Sequence, residues 1–289
     1  MDPCTIAKNV SSIFSMPDVA LRINVLINLG ETKNSELEQV ILHDPALTAK
    51  ILKLSNSVFF GFPGKIDTIS RAVSLIGYKG LHNLVIATSV ASTFDSISSE
   101  LVDMETFWYH SVTCGVVANH LAIDLKRRER ERFFIAGLLH AIGKLILFSQ
   151  YPKESEKALK LKEYGDDAVT DAEREIFGFT YVELGAEFLK QWQLPQSIWR
   201  LIESQADPLE DKEFKEDACI LHIAVTIANC IQPCANQKID FDEINPSYKP
   251  EIWNYVGLNP EVIRPMIEEA NTQVFEMLSV IRPEATMIF

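Results

Sequence analysis

Hydrophobic residues recur along this chain at the spacing of a helix face, and no segment shows the strict alternation of a half-buried strand. In residues 1–95 the pattern predicts five helices, one of which begins at Pro45 and ends near Asn56. Further helices are predicted over 104–125, 133–140, 153–164, 170–177, 181–192, 196–204, 217–231 and 260–280. The pattern therefore predicts an all-α protein.

A short polar segment, residues 96–103, interrupts the helical period. It predicts a boundary between an N-terminal helical part, residues 1–95, and a second helical part, residues 104–289. Each part is rich enough in apolar helix faces to bury them against neighbouring helices. We expect two packed helical subdomains.

Several helix ends are marked by their side chains. Asp44 is expected to cap the helix that begins at Pro45, because Asp accepts hydrogen bonds from free backbone N–H groups and proline suits the first helical position. Capping boxes are predicted at Thr170 and Thr180. On the helix that begins at Pro45, Leu52 is predicted to be a core residue, since it belongs to the apolar stripe.

Asn56 stands at the end of that helix and precedes Ser57. An amide at this position can bind carbonyls that the helix end leaves open, or tie the loop that follows. We therefore expect Asn56 to hold the turn formed by residues 58–61.

Composition narrows the class of protein. The chain is 47% hydrophobic, has a formal net charge of −13 and contains five cysteines, an odd number that favours free thiols. The excess of acidic groups argues against direct nucleic-acid binding, and the basic run 126–132 contains glutamates and is interpreted as a solvated turn. No apolar run near ~18 residues is expected, so a cytoplasmic protein without a membrane span is predicted. Cys230 and Cys234 do not have the spacing typical of zinc sites.

Three side chains are candidates for chemistry. His110 shares a helix face with Cys114, and His140 ends an apolar segment. Each histidine is either a metal ligand or, as the sequence favours, a hydrogen-bonded core residue. Lys144 could meet an anionic ligand as a point charge, although an exposed lysine after a helix end is the preferred interpretation.

Residues 44–57, which read DPALTAKILKLSNS, closely resemble the signature of the HDOD family. Asp44, Pro45, Asn56 and Ser57 belong to this signature. Similar residue types occur in segments 66–77, 108–111, 137–145, 184–186 and 192–195, and the resemblance extends from residue 13 to about residue 232. It implies that the second part resembles an HD domain, the fold of metal phosphohydrolases that include the HD-GYP enzymes acting on cyclic di-GMP.

The resemblance also implies which positions held metal in those enzymes. His110 and His140 occupy two histidine positions, whereas the other ligand positions are substituted by Ala141, Tyr181, Gln205 and Val225. Alanine and valine cannot bind a metal, so the resemblance implies a degenerate site with no catalytic residue, no metal and no cofactor. Together with Lys144 these residues are expected to form a vestigial site or ligand pocket, in which His110 and His140 lie close together.

Three hypotheses for the function follow. The resemblance implies a non-catalytic bacterial signalling module that binds a signalling protein or a small anionic effector. The alternative is a residual or altered metal-dependent phosphohydrolase acting on nucleotides. A third possibility is a scaffold whose acidic surface docks a basic partner. The sequence leaves the oligomeric state open.

Overall fold

The structure, a computed structural model, describes residues 2–28, 34–94, 97, 100–231 and 249–283. Throughout these ranges the regular secondary structure is helical and no strand occurs, which confirms the predicted all-α class. The predicted boundary falls partly on residues 96, 98 and 99, which lie outside the described residues.

The helices follow one another with short connections. In the N-terminal part they are α1 (Pro3–Ser11), α2 (Asp18–Asn28), α3 (Asn34–Leu42), α4 (Pro45–Ser55) and α5 (Ile69–Thr93). In the second part they are α6 (Met104–Asp124), α7 (Glu131–Leu139), α8 (Ile142–Gln150), α9 (Pro152–Leu159), α10 (Asp166–Phe177), α11 (Tyr181–Gln191), α12 (Gln196–Ser204), α13 (Lys215–Ala228), α14 (Pro250–Val256) and α15 (Ile263–Ile281). Single 3-10 turns lie at Lys162–Tyr164, Pro208–Glu210 and Pro260–Val262. The sequence pattern does not predict α1, α8 or α14, and two of the five helices predicted in residues 1–95 form α5, where the backbone of Gly77 is not helical (φ 76°, ψ 169°).

Two helices of the N-terminal part begin with an Asp-Pro pair. The Asp44 carboxylate accepts hydrogen bonds of 3.0 Å from the backbone N–H groups of Ala46 and Leu47, which confirms the predicted cap of α4. Asp2 caps α1 in the same way, with Pro3 at the first helical position. The sequence signal for α1 is therefore present, although its periodicity is too short to predict a helix.

The two predicted capping boxes have different outcomes. At the start of α11, the Thr180 backbone N–H donates to Glu183 Oε2 over 2.7 Å, and both halves of the box are formed. The box predicted at Thr170 is wrong, because α10 begins one turn earlier at Asp166, after Gly165. Thr170 lies inside the helix, where its hydroxyl donates to the Asp166 carbonyl over 3.0 Å.

The prediction that Leu52 is a core residue is wrong, and apolar side chains of α2 are also more exposed than a helical period suggests. Leu52 is only partly buried, whereas its neighbour Ile51 is completely buried. On α2, Leu21 and Val25 are 41% and 46% exposed, and Ile23 is buried instead. In both helices the apolar stripe is wider than the face that the neighbouring helices cover, so periodicity alone does not fix the contact line.

The hydrophobic core is continuous between the two parts. Helix α1 packs on α11, where Trp192 Nε1 donates to the Phe14 carbonyl over 3.1 Å. The Asn24 amide of α2 donates to the carbonyls of Trp192 and Gln193 over 3.1 and 3.0 Å. Helix α15 packs against α4, α5 and α6. The N-terminal helices are therefore fixed directly to the helices that carry the candidate site.

The basic run 126–132 is more than a solvated turn. Arg127 Nη2 and Arg132 Nη2 lie 2.6 and 2.5 Å from the two carboxylate oxygens of Asp217, which is buried. Because Asp217 belongs to the first turn of α13, these ion pairs fix that helix to the connection between α6 and α7. The solvated-turn interpretation is wrong for these two arginines.

The stretch Glu131–Gln150 is long and apolar enough to cross a membrane by length and composition, and 83% of its apolar window is buried inside the protein. The expectation that no apolar run approaches this length is corrected by this stretch. It comprises α7 and α8, two consecutive helices of the core that meet at His140 and Ala141.

Candidate functional site

Two glycines allow α6 and α7 to pack unusually closely. A Cβ atom on Gly137 would lie 2.6 Å from the Gly115 Cα atom, and one on Gly115 would lie 2.7 Å from the Phe134 carbonyl oxygen. Since no side chain separates these backbones, His110 on α6 and His140 at the end of α7 come together. Their ring centroids are 5.2 Å apart, with the ring planes inclined by 59°. The predicted proximity of the two histidines is confirmed.

Both imidazoles are held in the neutral form. His140 Nδ1 lies 2.6 Å from the Gly137 carbonyl oxygen, which can only accept, so Nδ1 carries the hydrogen and Nε2 is an acceptor. Burial, aided by His110 and Lys144, holds the pKa of His140 well below its usual value. Burial and the charge of Lys144 lower the pKa of His110 to about 4, against a hydrogen bond to the Ala228 backbone.

Lys144 lies in the first turn of α8 and turns into the protein. Its ammonium is 4.4 Å from the centroid of the Tyr181 ring, a cation–π contact. Burial lowers the pKa of Lys144, and burial raises that of the Tyr181 hydroxyl. The contact depends on the close approach of α8 to α11, because a Cβ on Gly143 would overlap the Tyr181 carbonyl oxygen at 1.9 Å. The interpretation of Lys144 as an exposed lysine after a helix end is wrong.

Gln205 and His222 lie beside the same group of residues. Gln205 Nε2 donates to the carbonyls of His140 and Ile202 over 2.9 and 3.0 Å. The backbone carbonyl oxygen of Gln205 lies 2.8 Å from His222 Nδ1. Burial lowers the pKa of His222. Within the described residues, Gln205 Oε1 and His222 Nε2 are buried and have no hydrogen-bond partner.

These groups line a cavity of about 110 Å³. Of the residues predicted for the site, His140, Lys144, Tyr181, Gln205 and Val225 line it. His110 contacts His140 from α6, and Ala141 is buried at the junction of α7 and α8. The structure therefore brings together the positions that the resemblance marks as a former metal site.

Acidic and basic groups that were not predicted from the sequence complete the cavity: Lys162, Asp166, Asp167, Glu173, His222 and Lys249. Lys162 pairs with Asp166, and Lys249 Nζ lies 3.6 Å from the Asp167 carboxylate. The buried Glu173 carboxylate accepts a 2.8 Å hydrogen bond from the Tyr181 backbone N–H. One usable signal exists, since His222 is a lone polar aromatic residue in the apolar segment 218–228.

The signature residues lie elsewhere, at the two ends of α4. Asp44 and Pro45 mark its start, and Asn56 and Ser57 follow its end. Asn56 Nδ2 donates to the carbonyls of Leu52 and Ile66 over 2.7 Å each, and the Ile66 N–H donates to Asn56 Oδ1 over 2.7 Å. The side chain thus satisfies the helix end and closes the loop 57–65, the contacts expected from the sequence. The Ser57 hydroxyl donates to the Leu54 carbonyl over 2.6 Å.

The donor set does not fit the divalent metal that an HD-type site would hold. Only two imidazoles remain at the ligand positions, and the described residues contain no group of three or more His, Cys, Asp or Glu side chains arranged to hold a metal ion. The positive charge of Lys144 lowers the pKa of both His110 and His140, so the same charge opposes a dication there. Cys230 is a free thiol just after the end of α13, and Cys234 lies outside the described residues.

The chain is similar to known proteins in both sequence and fold. The model of the HDOD domain family matches residues 13–208. An uncharacterized protein of Treponema pallidum (strain Nichols) is 28% identical over 204 residues, which are 67% of this chain and 37% of that protein. The chain therefore spans well under half the length of this relative.

Three crystal structures share the fold. A protein of Shewanella amazonensis SB2B, provisionally named a phosphohydrolase, has a TM-score of 0.71 at 23% identity, covering 96% of this chain and 97% of that one. An HDOD domain protein with unknown function from Geobacter sulfurreducens has a TM-score of 0.70 at 19% identity, with coverages of 96% and 97%. A protein of Marinobacter aquaeolei VT8, provisionally named a signal transduction protein, has a TM-score of 0.67 at 20% identity, with coverages of 94% and 60%. At these identities the likeness shows the fold alone.

Proposed function

This chain belongs to the HDOD family, and we propose that it is a non-catalytic, cytoplasmic signalling module of a bacterium, which binds a signalling protein or a small effector. The observation that carries the proposal is the chemistry of the pocket. The HD scaffold still brings His110 and His140 together, but Lys144 places an ammonium beside them. A pocket that is kept while its metal chemistry is lost is suited to binding.

Metal-dependent hydrolysis needs a water molecule activated by a metal ion. A hydrolytic metal requires at least three protein ligands in a fixed geometry, and two histidines on separate helices leave the coordination sphere incomplete. Ala141 supplies no donor atom where the family's metal enzymes have an aspartate. Restoring that one aspartate would still leave Tyr181, Gln205 and Val225 at the remaining positions.

The rival function, a residual phosphohydrolase, draws support from the carboxylates around the cavity. Each of them already has a partner: Asp166 pairs with Lys162, Asp167 with Lys249, and Glu173 with the Tyr181 backbone. A carboxylate that is engaged in this way must give up its partner before it can bind a metal. This cost favours the non-catalytic proposal.

Metal analysis and a hydrolysis assay on the full chain test the proposal. The purified protein is incubated in turn with Mn²⁺, Fe²⁺ and Zn²⁺, dialysed, and assayed with cyclic di-GMP and p-nitrophenyl phosphate. We expect no stoichiometric metal and no hydrolysis, in the wild type or in Ala141→Asp. Stoichiometric metal and metal-dependent hydrolysis that disappear together in the double variant His110→Ala/His140→Ala would overturn the proposal.

A further inference from the structure

The cavity beside His140 contains two buried acceptor atoms that the protein leaves unpaired. Gln205 is 3% exposed and its Nε2 already donates to two carbonyls, but its Oε1 has no partner among the described residues. A buried polar atom without a hydrogen bond is unfavourable by ~1–3 kcal/mol, so a native protein seldom keeps one. Gln205 Oε1 therefore calls for a donor from outside the chain.

His222 presents a second acceptor to the same cavity. His222 Nδ1 donates to the backbone carbonyl of Gln205 over 2.8 Å, and burial lowers the pKa of the His222 ring. The ring is therefore neutral near neutral pH, and the unpaired Nε2 offers a lone pair rather than a hydrogen. The wall formed by Gln205 and His222 accepts hydrogen bonds and does not supply them.

Lys144 also lines the cavity, and its ammonium donates hydrogen bonds but cannot accept them. Its ammonium rests against the Tyr181 ring and forms no ion pair with a carboxylate of the described residues. The two lysines at the mouth differ from it, because Lys162 pairs with Asp166 and Lys249 with Asp167. Lys144 is thus a cation without an ion pair that lines the same cavity as Gln205 and His222, and the charges of Asp166 and Glu173 also act on it.

We propose that this cavity is the effector site of the module and binds a small anion that also carries hydrogen-bond donors. The negative group would lie on Lys144, while an O–H or N–H of the same molecule donates to Gln205 Oε1 and His222 Nε2. Hydrogen phosphate, or a phosphate ester that enters by its phosphate, has this chemistry, and so do small hydroxy- and amino-carboxylates. The proposal rests on the proposed non-catalytic function and names its ligand class.

The size of the cavity limits the ligand. A volume of about 110 Å³ is several times the ~10–15 Å³ that a single water needs. A tetrahedral oxyanion or a two-carbon acid is therefore of suitable size. A larger effector could place only its anionic end in the cavity.

Two pairs of probes separate charge from donor chemistry. Calorimetric titration of the full chain near neutral pH compares phosphate with sulfate, and glycolate with acetate. The members of each pair are similar anions, but only phosphate and glycolate carry an O–H group. Since a hydrogen bond to a buried acceptor contributes ~1–1.5 kcal/mol, we expect the donor-bearing member to bind roughly tenfold more tightly.

Three variants assign the contacts. Lys144→Met removes the charge at nearly constant length and should abolish binding of every probe. His222→Asn keeps a donor for the Gln205 carbonyl but removes the Nε2 acceptor, so it should erase the preference within each pair. Lys160→Met is the matched control, because it removes a lysine that is paired with Glu156 outside the cavity lining, and it should change the affinities by less than about threefold. Thermal unfolding confirms that each variant is folded.

The outcomes are distinct from those for the proposed function. A preference within the phosphate pair alone identifies a phosphate group, and one within the glycolate pair alone identifies a carboxylate; either supports the effector site. Equal affinities within both pairs, affinity that survives Lys144→Met, or no binding of any probe would overturn it. None of these results produces metal-dependent hydrolysis, which would overturn the non-catalytic function instead.

Discussion

The loop that follows α4 and the cavity beside His140 each contain a side-chain amide, that of the exposed Asn56 and that of the buried Gln205, and the two amides are used differently. Asn56 forms three hydrogen bonds of 2.7 Å to protein backbone, two through Nδ2 and one through Oδ1. Gln205 uses only its Nε2 and leaves Oε1 without a protein partner. The same functional group is saturated in one region and open in the other.

An unpaired buried acceptor does not by itself mark a site, since the scaffold residue Asn24 also leaves its Oδ1 without a partner among the described residues; Gln205 differs because it lines the cavity. A saturated amide gains nothing from a ligand and serves to hold the chain, as Asn56 holds Ile66 against the end of α4. An open, buried acceptor weakens the folded state until something donates to it. Asn56 in the most distinctive sequence segment, residues 44–57, thus holds the chain, whereas the acceptors of the proposed binding site, Gln205 and His222, lie outside the segments that resemble the family.

The largest expected effect concerns the neutral histidines of the cavity. Burial lowers the pKa of His110 to about 4 in the folded state, compared with 6.5 when unfolded. Above pH 6.5 both states are neutral; as the pH falls below it, the unfolded state binds a proton that the folded state refuses. Stability should therefore fall between pH 6.5 and 4, by up to ~1.4 kcal/mol per pH unit for each such histidine.

Urea denaturation at a series of pH values measures this loss. Two further histidines add to the slope. Burial lowers the pKa of His82 to about 4 and holds that of His140 well below its usual value. In His110→Gln the slope should decrease by close to one proton, whatever the absolute stability of the variant. A slope that is the same in wild type and His110→Gln would show that this imidazole is protonated in the folded protein.

The second prediction concerns the helix that carries the saturated loop. Ile51→Ala should reduce the free energy of unfolding by ~2–5 kcal/mol, because Ile51 is fully buried and its truncation leaves a cavity. Leu52→Ala, the matched change one residue further on, should cost clearly less, since Leu52 is only partly buried. Equal losses in denaturant melts would place both side chains on the buried face.

The third prediction tests the saturated amide itself. Asn56→Ala removes three hydrogen bonds and leaves the Ile66 N–H and carbonyl without their partner, so we expect a loss of ~2 kcal/mol or more. Asn56→Asp keeps the acceptor for the Ile66 N–H and should lose less. If Asn56→Ala melted like the wild type but no longer bound a signalling partner, Asn56 would belong to a binding surface rather than to the scaffold.

Local signals in the sequence predict much of this fold. Asp44 and Pro45 mark the start of α4, and Thr180 with Glu183 marks that of α11, because a cap depends on residues within one helical turn. The meeting of His110 and His140 is not local. It is predicted only through the resemblance to a family, and its physical cause, the packing of Gly115 on Gly137, is visible only in the structure.

The rest of the cavity could not be predicted because its residues come from helices far apart in the sequence. Asp166 and Glu173 on α10 and His222 on α13 have no common motif, and the misplaced start of α10 hides Asp166 in a predicted loop. Ion pairs between distant residues cannot be predicted for the same reason, since nothing near Arg127 in the sequence indicates that it pairs with Asp217. Such contacts depend on helix packing, which periodicity does not determine.

The smallest expected effect is the sharpest test of the comparison. Gln205→Met keeps the length and shape of the side chain, removes the two donor contacts of Nε2 and also removes the open acceptor. The buried His140 carbonyl loses its donor, which lowers stability, whereas removal of the open acceptor raises it, so the net loss in anion-free buffer should be smaller than that in Asn56→Ala. Denaturant melts of the two variants side by side measure the contrast. A loss in Gln205→Met as large as that in Asn56→Ala would mean that Gln205 Oε1 is already bonded in solution, and the distinction between a saturated scaffold amide and an open site amide would fail.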